Sequence, residues 1–302
     1  MTKHLIMGFA TNQKPESLKV FLRSAREVYP TSECDIALIT NSVAGIEEIL
    51  DDAGAIAINT PSTYSIRVSR RTKLYNRAFL HALRGLAGTG ALSGSPEIVA
   101  GYHQLIETWH HPHFARWFAY MRVMRTLHGY DRILLADTKD VVFQRPFFDR
   151  VDPHKVAVFQ DGEDFAAEGW NGRWIIEAYG RKRHAAIAHH QPICIGVVAG
   201  GAAPLAAFVT QLCTAIARHP FGRIEQAIFN KMYFAGEFDV PFQEFDNRDG
   251  PVLTMAGDGV AARTECLDGL IAASGGGRVF PVVHMYDRHE HTDRPVQARY
   301  GA

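Results

Sequence analysis

An α/β fold built on a mostly parallel sheet is what this sequence predicts, and three observations lead there. From His4 to Asn59 strand-length apolar runs alternate with amphipathic helical segments, the rhythm of a βαβαβ unit. These runs are continuous rather than alternating, as strands covered on both faces require. Similar runs return at Arg132–Ala136, Lys155–Gln160 and Ile193–Gly201. With 302 residues, 47% of them apolar, the chain can build one large core, and residues 1–302 are read as a single domain.

The elements follow in order. His4–Ala10 is the first strand; Lys14-Pro15 opens a helix whose Leu18, Phe21, Leu22, Ala25 and Val28 share one face, and Pro30 closes it. Cys34–Thr40 is a second strand, Gly45–Asp52 a short helix and Ala55–Asn59 a third strand. From Pro61 to His113 the rhythm breaks. Arg67, Arg70, Arg71 and Lys73 form a basic cluster, either a solvated helix face or a wall of an anion pocket, ahead of a helix expected over 74–86. The Gly/Ser-rich stretch 85–96 neither follows a strand nor opens a helix, so it reads as a surface loop rather than a phosphate cradle. In WHHPH, Trp109–His113, Pro112 forbids a helical His pair, and the tract reads as a helix lead-in. Phe114, Trp117, Met121 and Met124 then keep helical spacing until Gly129 ends the segment. Beyond the strand at Lys155–Gln160 come an acidic turn, Asp161–Asp164, a helix around Gly172–Arg181, and further helices at Pro204–Arg218 and Arg223–Phe234. The remainder reads as an irregular, Gly-rich tail with one late apolar strand running into His284.

Charge and cysteine usage exclude several classes. Thirty-two Lys and Arg balance thirty-two Asp and Glu, so no global field favours nucleic acid, and any anion must be bound locally. The apolar run after Lys3 and His4 is too short for a signal peptide or a membrane span, and a cytoplasmic setting is expected. Cys34, Cys194, Cys213 and Cys266 are too widely spaced for a metal knuckle or a disulfide scaffold and read as reduced core thiols. No GxGxxG follows a strand, which disfavours a dinucleotide-binding oxidoreductase, and FATNQKP is not the basic Gly-rich loop a nucleotidyltransferase needs.

Chemistry gathers at two strand ends. Asp137 and Asp140, three positions apart where the Arg132–Ala136 strand ends, can converge through oxygen atoms on one hard cation, Mn²⁺ or Mg²⁺. Two carboxylates hold such an ion loosely, and substrate phosphates usually complete its shell, so a nucleoside diphosphate is the expected ligand. The competing reading gives Asp140 to a turn cap and Asp137 to a pair with Lys139 or Arg132. His284 could add a neutral imidazole, and Arg288 a planar fork for phosphate oxygens.

Five segments in fixed order carry a family resemblance: Phe114-Ala115-Arg116, then YDRILLADTKDVVFQ, ICIGVVAGG, Glu225-Gln226-Ala227-Ile228-Phe229-Asn230, and VVHMYDRH. Together they resemble the GT-A glycosyltransferases related to glycogenin and to bacterial lipopolysaccharide galactosyltransferases. The resemblance covers most of the chain beyond His113 and the N-terminal βαβ rhythm. It implies a GT-A type, Rossmann-like single domain with a mostly parallel central sheet flanked by helices, residues 1–112 forming the nucleotide-binding half and 113–302 the metal and acceptor half. It further implies a metal-dependent enzyme moving a sugar from a nucleotide-sugar donor, first of all a UDP-sugar, to a carbohydrate or other hydroxyl acceptor with retention. Carried over by position, Asp140 and His284 ligate Mn²⁺ or Mg²⁺, and Asp137 either joins them or bonds the donor ribose. Ala10, Thr11 and Asn12 face the base, Arg116 reaches the donor sugar or its diphosphate, and Glu225 and Gln226 lie beside the sugar away from the leaving group. The sequence departs from the pattern in three places. The acids are spaced D-T-K-D, the Asn of the N-[AS]-G-V strand is Cys194, and the K-P-W after the late His is missing, with Arg288 or His289 as replacements.

For retention a donor phosphate oxygen would take the acceptor proton; for inversion a carboxylate such as Asp161, Glu163 or Asp164 would serve, although that turn also reads as a solvated acid cluster. Glu225 in the first turn of a helix is explained by the helix dipole alone. Trp170 and Trp174 flank the turn and either pack a helix or cover the acceptor. The replacement at Cys194 motivates the rival reading, a catalytically degenerate sugar-nucleotide-binding protein with the same fold.

Overall fold

Strands β1 (Lys3–Phe9), β2 (Cys34–Thr40) and β3 (Ala55–Asn59), with helices α1 (Pro15–Val28) and α2 (Glu47–Asp52) between them, form the unit expected from the N-terminal pattern. All three strands are parallel. In α1, Pro15 sits in the first turn with Glu16, Arg26 lies in the last turn, and Leu18, Phe21, Leu22 and Ala25 are buried against the sheet. The computed structural model describes residues 3–63 except 12 and 14, 78–86 except 80 and 84, 94–166, 169–219 and 225–301. Asn12, the basic cluster Arg67, Arg70, Arg71 and Lys73, and positions 87–93 of the Gly/Ser-rich stretch lie outside the described residues. Of the helix expected over 74–86, the described residues are helical.

Helices α3 (Pro96–Trp109) and α4 (Pro112–Met124) precede β4 (Tyr130–Asp137). The sequence reading missed α3, whose short buried stripe of Tyr102 and Ile106 is obscured by neighbouring Gly and His residues. WHHPH does lead into a helix: Pro112 occupies the first turn of α4, and His111 Nδ1 accepts the His113 amide at 3.3 Å. After β4 come β5 (Val141–Phe143), β6 (Val156–Gln160), α5 (Trp170–Ile187), β7 (Ile193–Gly201), α6 (Ala202–Arg218) and α7 (Glu225–Phe234).

The tail expected to be irregular is ordered. It contains β8 (Phe242–Phe245), β9 (Val252–Thr254), α8 (Asp258–Ala261), β10 (Thr264–Leu267), β11 (Leu270–Ala273), β12 (Val282–His284) and α9 (Glu290–Tyr300). Strand β12 is the late apolar strand expected to run into His284; the other strands, of three or four residues, are too short to show a period, which is why the pattern failed there.

The main sheet runs β3-β2-β1-β4-β7-β6-β8, and β7 alone opposes the common strand direction. A smaller sheet, β5-β12-β9, stands beside it. Side chains of α4 and α6, among them Phe114, Trp117, Phe118 and Phe208, fill one face of the main sheet; α1 with Phe147 and Phe148 fills the other. Cys34, Cys194 and Cys213 are buried and Cys266 partly so, all of them free thiols as expected. Among the described residues no helix is long and apolar enough to cross a membrane.

Candidate active site

Asp137 is the last residue of β4, and a tight turn returns Asp140 to its side before β5 begins. Thr138, between them, is buried over β1, where Gly8 admits it: a Cβ on Gly8 would stand 2.1 Å from Thr138 Cγ2. The small sheet brings in the third member. β12 pairs antiparallel with β5 so that His284 faces Val141, and the Met285 amide donates to the Asp140 carbonyl at 2.7 Å. Outside this junction Lys139 Nζ donates to Asp287 Oδ2 at 2.7 Å. His284 Nε2 thereby comes 3.5 Å from Asp137 Oδ2 and 3.6 Å from Asp140 Oδ1. One ligand atom from each of the three residues lies within 4.8 Å of the others. Asp137 pairs with neither Lys139 nor Arg132: the first binds Asp287, the second Asp131 and the Val151 carbonyl.

The His284 ring rests on β7. A Cβ on Gly196 would lie 2.2 Å from its Cε1 and 2.5 Å from its Nε2, so only glycine allows the imidazole this close to the strand. Cys194 Sγ lies 3.5 Å from Nδ1, leaving Nε2 to face the acids. Nε2 is buried without a hydrogen-bond partner, since both carboxylates stand beyond hydrogen-bond range. A buried nitrogen aimed between two carboxylates is a donor set that fits Mn²⁺ or Mg²⁺. The electrostatics agree. Burial opposes an imidazolium at His284, but the sulfur of Cys194 and the carboxylates of Asp140 and Asp137 raise its pKa well above the ordinary value. Burial raises the Asp140 carboxyl, despite His284. At Asp137 burial is outweighed by Arg116 and then His284, which hold the carboxyl at about 2. The same carboxylates that favour a proton at Nε2 would favour a cation in its place.

Arg116, on α4, is buried and spans two acids: Nη1 donates to Asp137 Oδ1, and Nη2 to Glu225 Oε1 at 2.5 Å and to the Ile195 carbonyl at 3.3 Å. Glu225 is thus more than a dipole partner of α7. Burial pushes its carboxyl up, yet Arg116 and His113 together hold it below the usual range. Gln226 and Asn230, one helical turn apart on α7, bond backbone groups two residues apart on β7. Gln226 Oε1 accepts the Ile195 amide at 3.3 Å, while Asn230 accepts the Ile193 amide at 2.8 Å and donates to the Ile193 carbonyl at 2.9 Å. The β6–β7 register shifts between Ala157 and Phe159, and Ile195 falls in the part of β7 left without a β6 partner; α7 supplies the missing bond.

The network continues outward. Gln226 Nε2 donates to Asn171 Oδ1 at 2.7 Å, and Asn171 Nδ2 donates to Asp161 Oδ2. Asp161 corrects the reading of a solvated acid cluster: it is buried at the end of β6, and burial outweighs its bonds from Glu163 and Asn171 to push its carboxyl up to about 7. Ala10 and Thr11 are buried just beyond Phe9, which pairs with Asp137 across the sheet. Arg288 lies in the turn after His284, more than half exposed, its nearest carboxylate Asp287 at 3.8 Å. Sequence reasoning passed over Asn171, His113 and Gly196 as participants. Asn171 and His113 carry no signal in spacing, whereas Gly196 stood inside a quoted motif.

No protein-family model and no curated protein matches the sequence. Solved structures do match. The galactosyltransferase LgtC in complex with donor and acceptor sugar analogues superposes with a TM-score of 0.50 at 12% identity, covering 98% of this chain and 93% of that one. The chain has the GT-A glycosyltransferase fold. An active-site variant of LgtC gives the same coverage and score. GlyE of Streptococcus pneumoniae TIGR4 matches at 11% identity and a TM-score of 0.42, over 82% of this chain and 46% of its own. In the GT-A fold found here, the Asp137–Asp140–His284 cluster lies at the carboxyl edge of β4, where open α/β sheets collect their ligands.

Proposed function

We propose that this protein is a metal-dependent glycosyltransferase that moves a sugar from a nucleoside-diphosphate sugar, a UDP-sugar foremost, to an acceptor hydroxyl with retention of configuration. The observation carrying this reading is the convergence of Asp137, Asp140 and His284 at the sheet edge of a fold shared with LgtC. These three residues would hold Mn²⁺ or Mg²⁺, which when bound neutralises a diphosphate and stabilises it as a leaving group. The protein's own groups do the rest. Arg116 keeps Asp137 ionised and oriented while bracing Glu225. Ala10, Thr11 and Asn12 follow the central strand and meet the nucleotide base. Arg288, more than half exposed beside Asp287, meets the diphosphate. Glu225 and Gln226 line the sugar, Gln226 being fixed by Ile195 and Asn171. The reaction is assigned to the cytoplasm, supported by four unpaired cysteines.

The test is a thermal-shift panel of nucleoside diphosphates with and without Mn²⁺, because a ligand of the folded state raises the melting temperature with its affinity. A Mn²⁺-dependent shift by UDP that disappears in Asp140→Asn supports the reading, as does Mn²⁺-dependent hydrolysis of a UDP-sugar. Absence of a shift with every nucleotide overturns it.

A further inference from the structure

Trp170 is 62% exposed, the most exposed large apolar side chain among the described residues. It opens α5 beside the acidic turn, and its neighbour in sequence, Asn171, points inward to bond both Asp161 and Gln226. The helix turn that exposes Trp170 is therefore bolted to the floor of the site. The indole is also held. Trp174, one turn on, packs against the cluster of Phe165, Ile175, Ile187 and Ala227, and its ring lies 6.2 Å from that of Trp170. Arg173 places its guanidinium 4.7 Å from the Trp170 ring centre. An indole fixed by a cation and a second ring, yet left open to water, offers a flat electron-rich face without further ordering.

A pyranose ring is the complementary ligand, because one of its faces carries only polarised C–H bonds while its rim carries hydroxyls. We infer that Trp170, backed by Trp174, is a stacking platform for the acceptor, and that the acceptor is a pyranoside rather than an acyclic polyol or a protein hydroxyl. This inference rests on the proposed transferase reading for the word acceptor, but the platform itself can be observed without turnover. Trp170 is next in sequence to Asn171, whose bonds to Asp161 and Gln226 fix the first turn of α5 beside the site.

The probe is a set of methyl pyranosides, with ribitol as the acyclic control, titrated into the full chain while the indole N–H resonances are followed. Binding that moves an indole resonance, weakens about tenfold in Trp170→Ala and returns in Trp170→Phe supports the platform; tenfold is the upper range for one aromatic contact. Unchanged pyranoside binding in Trp170→Ala, ribitol binding as tightly as the pyranosides, or a Trp170→Ala effect only on self-association overturns it. The UDP and Mn²⁺ shift measured on the same samples separates the two claims. Loss of pyranoside binding with that shift intact is a platform effect, and a wild-type chain that binds pyranosides but no nucleotide refutes the transferase reading alone.

Discussion

Replacing Gly196 with alanine tests the candidate metal site at its tightest contact. The added methyl would lie 2.2 Å from His284 Cε1, 2.5 Å from Nε2 and 2.9 Å from Asp137 Oδ2, whereas ordinary contacts begin near 3.4 Å. The ring would have to recede by about 1.2 Å, the difference between 3.4 and 2.2 Å. It cannot do so freely, because β12 is pinned between β5 and β9 and the Met285 amide is bonded to the Asp140 carbonyl. Overpacking of this kind destabilises by about 1–3 kcal/mol, which a chain with so large a core should survive. The larger effect falls on the cation: moving one ligand of three by about an ångström should weaken Mn²⁺ roughly 10- to 100-fold, the range seen when a ligand loses its support. Calorimetric titration of Mn²⁺ in the presence of UDP measures this directly. Gly101→Ala is the control, since a methyl there meets nothing within 4 Å. A folded Gly196→Ala protein that binds Mn²⁺ and UDP like the wild type would refute the argument.

Three further perturbations follow from the same geometry. Asp161, with its carboxyl at about 7 in the folded chain and an ordinary value near 4 when unfolded, keeps its proton over that interval only when folded. Its contribution to stability is complete below about pH 4 and is lost as pH rises to about 7, amounting to at most about 4 kcal/mol. Urea unfolding at pH 5 and pH 8 should show a smaller pH difference for Asp161→Asn than for the wild type; equal differences contradict the burial argument. Arg116→Leu strands two carboxylates and should destabilise by about 3–5 kcal/mol, with Glu225→Gln in the same chain recovering part of it; chemical denaturation of the single and double variants decides. Cys194→Ala removes the neighbour of His284 Nδ1 and should loosen Mn²⁺ several-fold, less than Gly196→Ala, while leaving the melting point of the metal-free protein within a few degrees.

What the sequence disclosed and what it hid divide along physical lines. The long buried strands and α1 were legible because parallel strands need unbroken apolar runs and a surface helix needs one apolar face. Asp137, Asp140 and His284 were legible because each stands where an apolar run meets titratable residues, at the strand ends where open α/β sheets collect ligands. Arg116 was found, but its tie to Asp137 and Glu225 was not, since residues 116 and 225 meet only through tertiary packing of α4 against α7 and β7. Asp161 misled for a related reason: an acidic turn looks solvated unless one knows that Asn171 folds over it. Strand β12 was read from its apolar run into His284, but the three-residue β9 beside it left no periodic trace, although its pairing helps to hold His284 in place.

The direction of β7 explains why the site forms where it does. Every other strand of the main sheet brings its last residues to the edge carrying Asp137, but β7 runs backwards and brings its first ones, Ile193 to Gly196. Ala136 pairs with Val197, so the next step along each strand sets Asp137 beside Gly196. On the far side of β7, Gln160 pairs with Ile193, which brings Asp161 to the same edge. A strand reversed in this way meets the acids with its N-terminal half, and there it needs small or shaped residues: Gly196 to seat the imidazole, Cys194 to back it, and free backbone groups at Ile195 for Arg116 and Gln226. Had β7 run parallel, that edge would have carried Gly200 and Gly201, and the Lys155 and Pro153 carbonyls now packed against them would have had to move elsewhere. The antiparallel strand is thus the structural condition for an anionic pocket inside a chain whose charges sum to zero.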